Sequence, residues 1–105
     1  MKIELEENVI FYAKNNNIRG IVVENTPVGC SCVGIHLHAE PKYALELNKY
    51  EGDEAFEMFF LHEDIKIFIE KVLLPLEEIH ILGKNNPFNQ KVYLYCEIKN
   101  TEKNR

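Results

Sequence analysis

The sequence lacks most of the features that would announce a function. Its 105 residues contain three cysteines, an odd and small number that builds no disulfide framework. No apolar stretch approaches the roughly 20 residues that a membrane-spanning helix needs. The opening residues, Met1-Lys2-Ile3-Glu4-Leu5-Glu6-Glu7, are charged and carry none of the apolar run of a secretory signal. A cytoplasmic protein without a membrane partner is therefore expected, and in a reducing compartment its cysteines should be free or metal-bound. There is no basic stripe. The net charge is −5 and the isoelectric point about 5.4, which weighs against nucleic acid or an anionic bilayer as the main partner. Gly-x-Ser-x-Gly and His-Glu-x-x-His are both missing. Gly29 and Gly34 have the glycine spacing of a phosphate loop, but Ile35 follows where a lysine is required. Paired carboxylates such as Asp53-Glu54 and Glu77-Glu78 fall in turns or at strand edges and read as solvated surface. An enzyme is not the expected reading.

What remains is enough to fold. Hydrophobic residues make up 46% of the chain and charged residues 28%, which suits one domain with a modest core. Lys2 to Leu5 alternates as a strand. Glu6 to Asn16 has helical spacing at Val9, Ile10 and Ala13. Its acidic start and Lys14 suit the helix dipole, and asparagines stand where it should stop. Ile21-Val22-Val23 is a β-branched run of the kind that fills a buried strand. Val33 to Ala39 alternates up to Pro41, and Tyr43 to Leu47 with Ala55 to Leu61 suggests a hairpin. From Asp64 to Leu74 the apolar residues Ile65, Phe68, Ile69, Val72 and Leu73 fall on one face of a helix, capped by Asp64 and stopped by Pro75. Glu78 to Leu82 and Lys91 to Ile98 complete the strands. The expectation is an α+β domain over residues 1–99, with mixed, mostly antiparallel sheets and two helices, and a polar tail over 100–105.

One stretch carries chemistry: Pro27-Val28-Gly29-Cys30-Ser31-Cys32-Val33-Gly34. Gly29 and Gly34 bracket two thiols one residue apart. In an extended chain their Cα atoms lie about 6.6–7 Å apart, at the edge of disulfide reach, and a bend brings both within reach of one point. Two convergent thiolates can hold a soft metal or an iron–sulfur cluster, or cycle between dithiol and disulfide. They can also simply pack. Cys96 shares parity with the apolar Val92, Leu94 and Ile98, so it is expected in the core, with a secondary role as an additional ligand. His36 and His38 share parity with Cys32 and are weak further ligand candidates, though residues two apart on a strand diverge. His62 and His80 read as surface residues.

The order of strand, helix from Glu6-Glu7-Asn8-Val9, strand Gly20-Ile21-Val22-Val23, glycine-flanked cysteine and β-rich second half resembles the HesB-like family of A-type iron–sulfur cluster carriers. The likeness points to its small branch with a paired-cysteine loop, some members of which carry selenocysteine. In that branch a proline follows the loop, here Pro41. The carriers end in a Cys-Gly-Cys pair, whereas this chain has Tyr93-Leu94-Tyr95-Cys96-Glu97. The resemblance implies a HesB-like β-rich fold and iron–sulfur cluster assembly or transfer. It implies Cys30 as ligand, Cys32 as its partner and Cys96 as an additional ligand. An iron–sulfur cluster or iron is the implied cofactor, ahead of zinc. A second copy or an iron–sulfur assembly protein is the implied partner. The residues themselves leave two alternatives open: a small thiol/disulfide redox protein using Cys30-Ser31-Cys32, or a non-catalytic interaction domain.

Overall fold

A computed structural model describes residues 1–26, 38–62 and 65–99. In chain order the elements are β1 (Lys2–Leu5), α1 (Glu7–Asn15), β2 (Gly20–Asn25), β3 (Ala39–Ala44), a 3-10 turn at Leu47–Lys49, β4 (Phe56–His62), β5 (Ile65–Glu70), a second 3-10 turn at Lys71–Leu73, β6 (Glu78–Asn85) and β7 (Val92–Lys99). The strands form two sheets. One has the order β1-β6-β7 and the other β3-β2-β5-β4. Both are mixed: β1–β6 and β2–β5 are parallel, and the remaining pairs are antiparallel.

This corrects the expected fold class. The protein is mostly β, with a single α-helix among the described residues rather than two. The segment expected to be the second helix is strand β5 and a 3-10 turn. Ile65, Ile67 and Ile69 alternate onto one face and are fully buried, and Phe68 is buried on the other face. Val72, assigned to the apolar helix face, is exposed. The expected hairpin between residues 43–47 and 55–61 is also absent. β3 pairs with β2 and β4 with β5, so the two strands stand at opposite edges of their sheet. Pro41 does not end a strand but sits inside β3, opposite Val23. An edge strand tolerates it because one side of its backbone needs no ladder partner.

α1 forms as its sequence suggests. Val9 and Ala13, one turn apart, are buried. Its end is a left-handed cap: Asn17 has φ of 56°, Ile18 N–H donates to Ala13 O at 2.9 Å and Asn17 N–H to Lys14 O at 3.5 Å. The main core lies where the inner faces of the two sheets and α1 meet, with Val9, Ile21, Val23, Ile67, Ile69 and Ile81 among its members. Tyr43 crosses between the sheets. Its hydroxyl donates to Val92 O at 2.7 Å, and desolvation pushes its pKa up to about 12. A smaller core on the far face of the four-stranded sheet joins Val22, Ala44 and Phe68 under Leu47, Tyr50 and Phe56. No helix among the described residues is long and apolar enough to cross a membrane.

Candidate functional site

Cys30, Cys32, Gly29, Gly34 and His36 lie outside the described residues. The residues that flank them do not, and they define the root of the segment. β2 and β3 run antiparallel, with Asn25 opposite Ala39. Beyond that pair Thr26 N–H donates to His38 O at 2.9 Å. The Asn25 carboxamide oxygen accepts the His38 N–H at 3.0 Å, and the Asn25 N–H donates to Glu70 Oε1 at 2.8 Å. The Thr26 hydroxyl donates to Glu40 Oε2 at 2.9 Å. The chain thus leaves β2 and enters β3 through two residues tied to each other, and Glu70 anchors this junction to β5.

Cys96 is elsewhere. It stands on the inner face of β7 opposite Ile81, partly buried against the main core. Desolvation raises its thiol from 9.0 to about 12. That rise lowers its thiolate population at neutral pH on the order of a thousandfold, and the thiolate is both the nucleophile and the metal ligand. Cys96 is therefore expected to react with iodoacetamide in the native state at least about tenfold more slowly than Cys30 and Cys32. Time-resolved alkylation read by peptide mass spectrometry checks this; equal rates would return Cys96 to the set of ligands.

Of the histidines, His38 is exposed at the junction. His62 closes β4 opposite Ile65. His80 belongs to a cluster that the sequence reading missed. Its Nε2 lies 2.6 Å from Glu78 Oε2 and 3.7 Å from Glu4 Oε1. Glu4 pairs with His80 across the parallel β1–β6 ladder, a contact between residues far apart in the chain. The alternation in Glu78-Ile79-His80 was the available signal, but nothing local reveals which strand lies alongside. Three such ligand atoms could hold a metal. Lys2 already lies there, with its ammonium 3.3 Å from Glu4 and 4.0 Å from Glu78, so the group reads as a surface ion-pair network.

No protein-family model matches the chain, and no curated protein does. Among solved structures, the solution NMR structure of a protein from Aquifex aeolicus, a structural genomics target, is similar with a TM-score of 0.49. It is 14% identical, over 93% of this chain and 90% of that one. These comparisons assign no family, so any functional reading must come from the chain's own residues.

Those residues divide by chemistry. Burial pushes the partly buried Cys96 thiol up, and Lys2 already pairs with both carboxylates beside His80. The two remaining thiols stand in a segment whose flanking residues are fixed by three strands. Two thiolates supply half of the four ligands that an iron–sulfur cluster usually takes.

Proposed function

We propose that this protein is a HesB-like thiol protein that binds a soft metal or an iron–sulfur cluster through Cys30 and Cys32. The observation that supports this best is the Thr26–His38 closure. It ties together the two described residues, Thr26 and His38, between which the sequence places both thiols. Thiolates favour iron–sulfur clusters, zinc and copper(I) over hard cations. Burial pushes the Cys96 thiol up, which weighs against Cys96 as a ready ligand. A four-ligand cluster would instead be shared with a second copy of the chain, with an assembly protein or with a small thiol.

The test is anaerobic reconstitution with iron and sulfide, followed by metal and sulfide analysis and by size-exclusion chromatography. Wild type and Cys96→Ser are expected to take up iron, and uptake should accompany dimer formation. Cys30→Ser and Cys32→Ser are each expected to lose at least about nine-tenths of it, with their circular dichroism unchanged. If wild type binds no metal but shows a reversible dithiol–disulfide couple, the redox alternative holds. If it shows neither, the proposal fails.

A further inference from the structure

The acidic composition conceals an uneven distribution of charge. A belt of clefts runs around the β6–β7 hairpin and the adjoining face of α1. The first, about 580 Å³, lies between α1 and the hairpin, with Phe11 and Lys91 among its walls. A second, about 340 Å³, shares Tyr12, Lys91 and Val92 with it. A third, about 600 Å³, meets the second at Tyr93 and adds Lys84 and Tyr95. A fourth meets the second at Ile18 and brings in Lys14 and Arg19. None of these four clefts is lined by a carboxylate, although 17 of the 105 residues are acidic. Acids border the belt: Glu6 accepts the Gly83 N–H at 2.9 Å, Glu7 lines a neighbouring depression with Phe11 and Lys14, and the exposed Glu97 stands two residues beyond Tyr95 on β7.

Three kinds of side chain recur along the belt. Lys14, Arg19, Lys84 and Lys91 are exposed and form no ion pair among the described residues, which is also true of Lys49 and Lys71 off the belt, whereas Lys2 forms two and Lys42 and Lys66 one each. The aromatic rings are unusually open, with Phe11 69%, Tyr93 50% and Tyr95 45% exposed. Tyr93 and Tyr95 stand two residues apart on the outer face of β7, so their rings are in series. Carboxamides fill the space between them. Asn15, Asn85 and Gln90 line the first cleft, and no side-chain hydrogen bond to another described residue engages them. The hairpin that presents them is fixed. Asn86 N–H donates to Lys91 O at 2.8 Å, Asn89 Oδ1 accepts the Lys91 N–H at 3.0 Å, and Gln90 is held at φ of 59°. A left-handed, non-glycine residue is a cost that the surrounding structure must impose.

Unpaired cations, open aromatic rings and unengaged carboxamides, with no carboxylate lining the four clefts, match the chemistry of single-stranded nucleic acid. Cations meet the phosphates, rings stack with bases, and carboxamides bond base edges. An acidic peptide would use the cations but would leave the ring series without a role. We infer that the belt from Lys14 and Phe11 to Tyr93 and Tyr95 is a binding surface for a short single-stranded oligonucleotide. None of the residues named in it belongs to the segment that carries Cys30 and Cys32. The chain's net charge opposes long-range attraction, so the affinity is expected to be micromolar and to depend on salt.

The test is fluorescence anisotropy with a labelled 12-nucleotide oligo(U) and the matching oligo(dT), titrated with the full chain in 50 mM KCl. A 12-residue polyglutamate peptide serves as the charge control. Binding is expected for at least one oligonucleotide, and Phe11→Ala or Tyr93→Ala should each weaken it about 5- to 100-fold. Lys84→Gln with Lys91→Gln should lower the slope of log affinity against log salt by about 0.7 per charge removed. All these side chains are exposed, so circular dichroism should be unchanged. Absence of oligonucleotide binding at 100 µM protein, equal binding of polyglutamate, or indifference to both aromatic substitutions would overturn the inference.

Discussion

Phe68→Ala is expected to remove about 3–5 kcal/mol of folding stability, the range for deleting a fully buried phenylalanine. Phe68 is 1% exposed and is the largest of the fully buried side chains. It occupies the middle of β5, opposite Val22 on β2 and Met58 on β4. The Tyr50 ring lies over it at a centroid distance of 5.7 Å, and Tyr50 meets Phe56 edge-on at 5.3 Å. This second core has few members, so no neighbouring bulk is available to collapse into the space that the ring would leave. A domain of this size has a total stability of about 5–15 kcal/mol, which makes the loss a large fraction of the whole. Urea denaturation followed by circular dichroism measures it. A loss below about 1 kcal/mol would mean that the residues from Leu47 to Phe56 do not seal that face.

The same residue explains the misreading of its segment. A half-buried strand announces itself by alternation, but β5 is central in its sheet and covered on both faces. Ile65, Ile67 and Ile69 face the main core while Phe68 faces the smaller one. With both parities apolar, the period-two signal is lost, and a subset of positions happens to match helical spacing. The three β-branched isoleucines in Ile65-Lys66-Ile67-Phe68-Ile69 favoured a strand and outweighed it. α1 was readable because only one of its faces is buried and its charges and cap agree locally. The first and last strands were readable because one side faces water. What no local pattern could disclose was pairing. The β1–β6 and β2–β5 ladders are parallel and join residues more than 40 positions apart, so neither the His80 cluster nor the belt of clefts was visible before folding. The thiol pair, by contrast, was visible only in the sequence.

Gly83 lies one residue past the strand expected over Glu78 to Leu82, yet it falls within β6, where the helix meets the sheet. Its N–H donates to Glu6 Oε1 and its carbonyl oxygen accepts from Asn8 Nδ2, each at 2.9 Å. Two residues back along β6, Ile81 O accepts the Glu6 N–H at 2.9 Å. The start of α1 is thereby tied to β6 at three points. This close approach requires the absence of a side chain. A Cβ at position 83 would stand 2.5 Å from Val92 Cγ1, 2.7 Å from Val9 Cγ2 and 3.2 Å from Asn8 Nδ2. Both valines are β-branched and stiff about χ1, so they cannot swing aside as a long side chain would. Val9 is fully buried and Val92 nearly so. Gly83→Ala is therefore expected to cost about 1–3 kcal/mol through overpacking, and the strain should fall on the bonds that dock α1. Hydrogen exchange should show this as faster exchange at Glu6 and Gly83 than at Ile67 in the other sheet. The cause can be separated from a general intolerance of substitution. In a double-mutant cycle with Val92→Ala, which removes the nearest clashing methyl, the double variant should be at least about 0.5 kcal/mol more stable than additivity allows. Strict additivity would show that the valine does not set the cost at Gly83, and that glycine is needed there for its backbone rather than for the space it leaves.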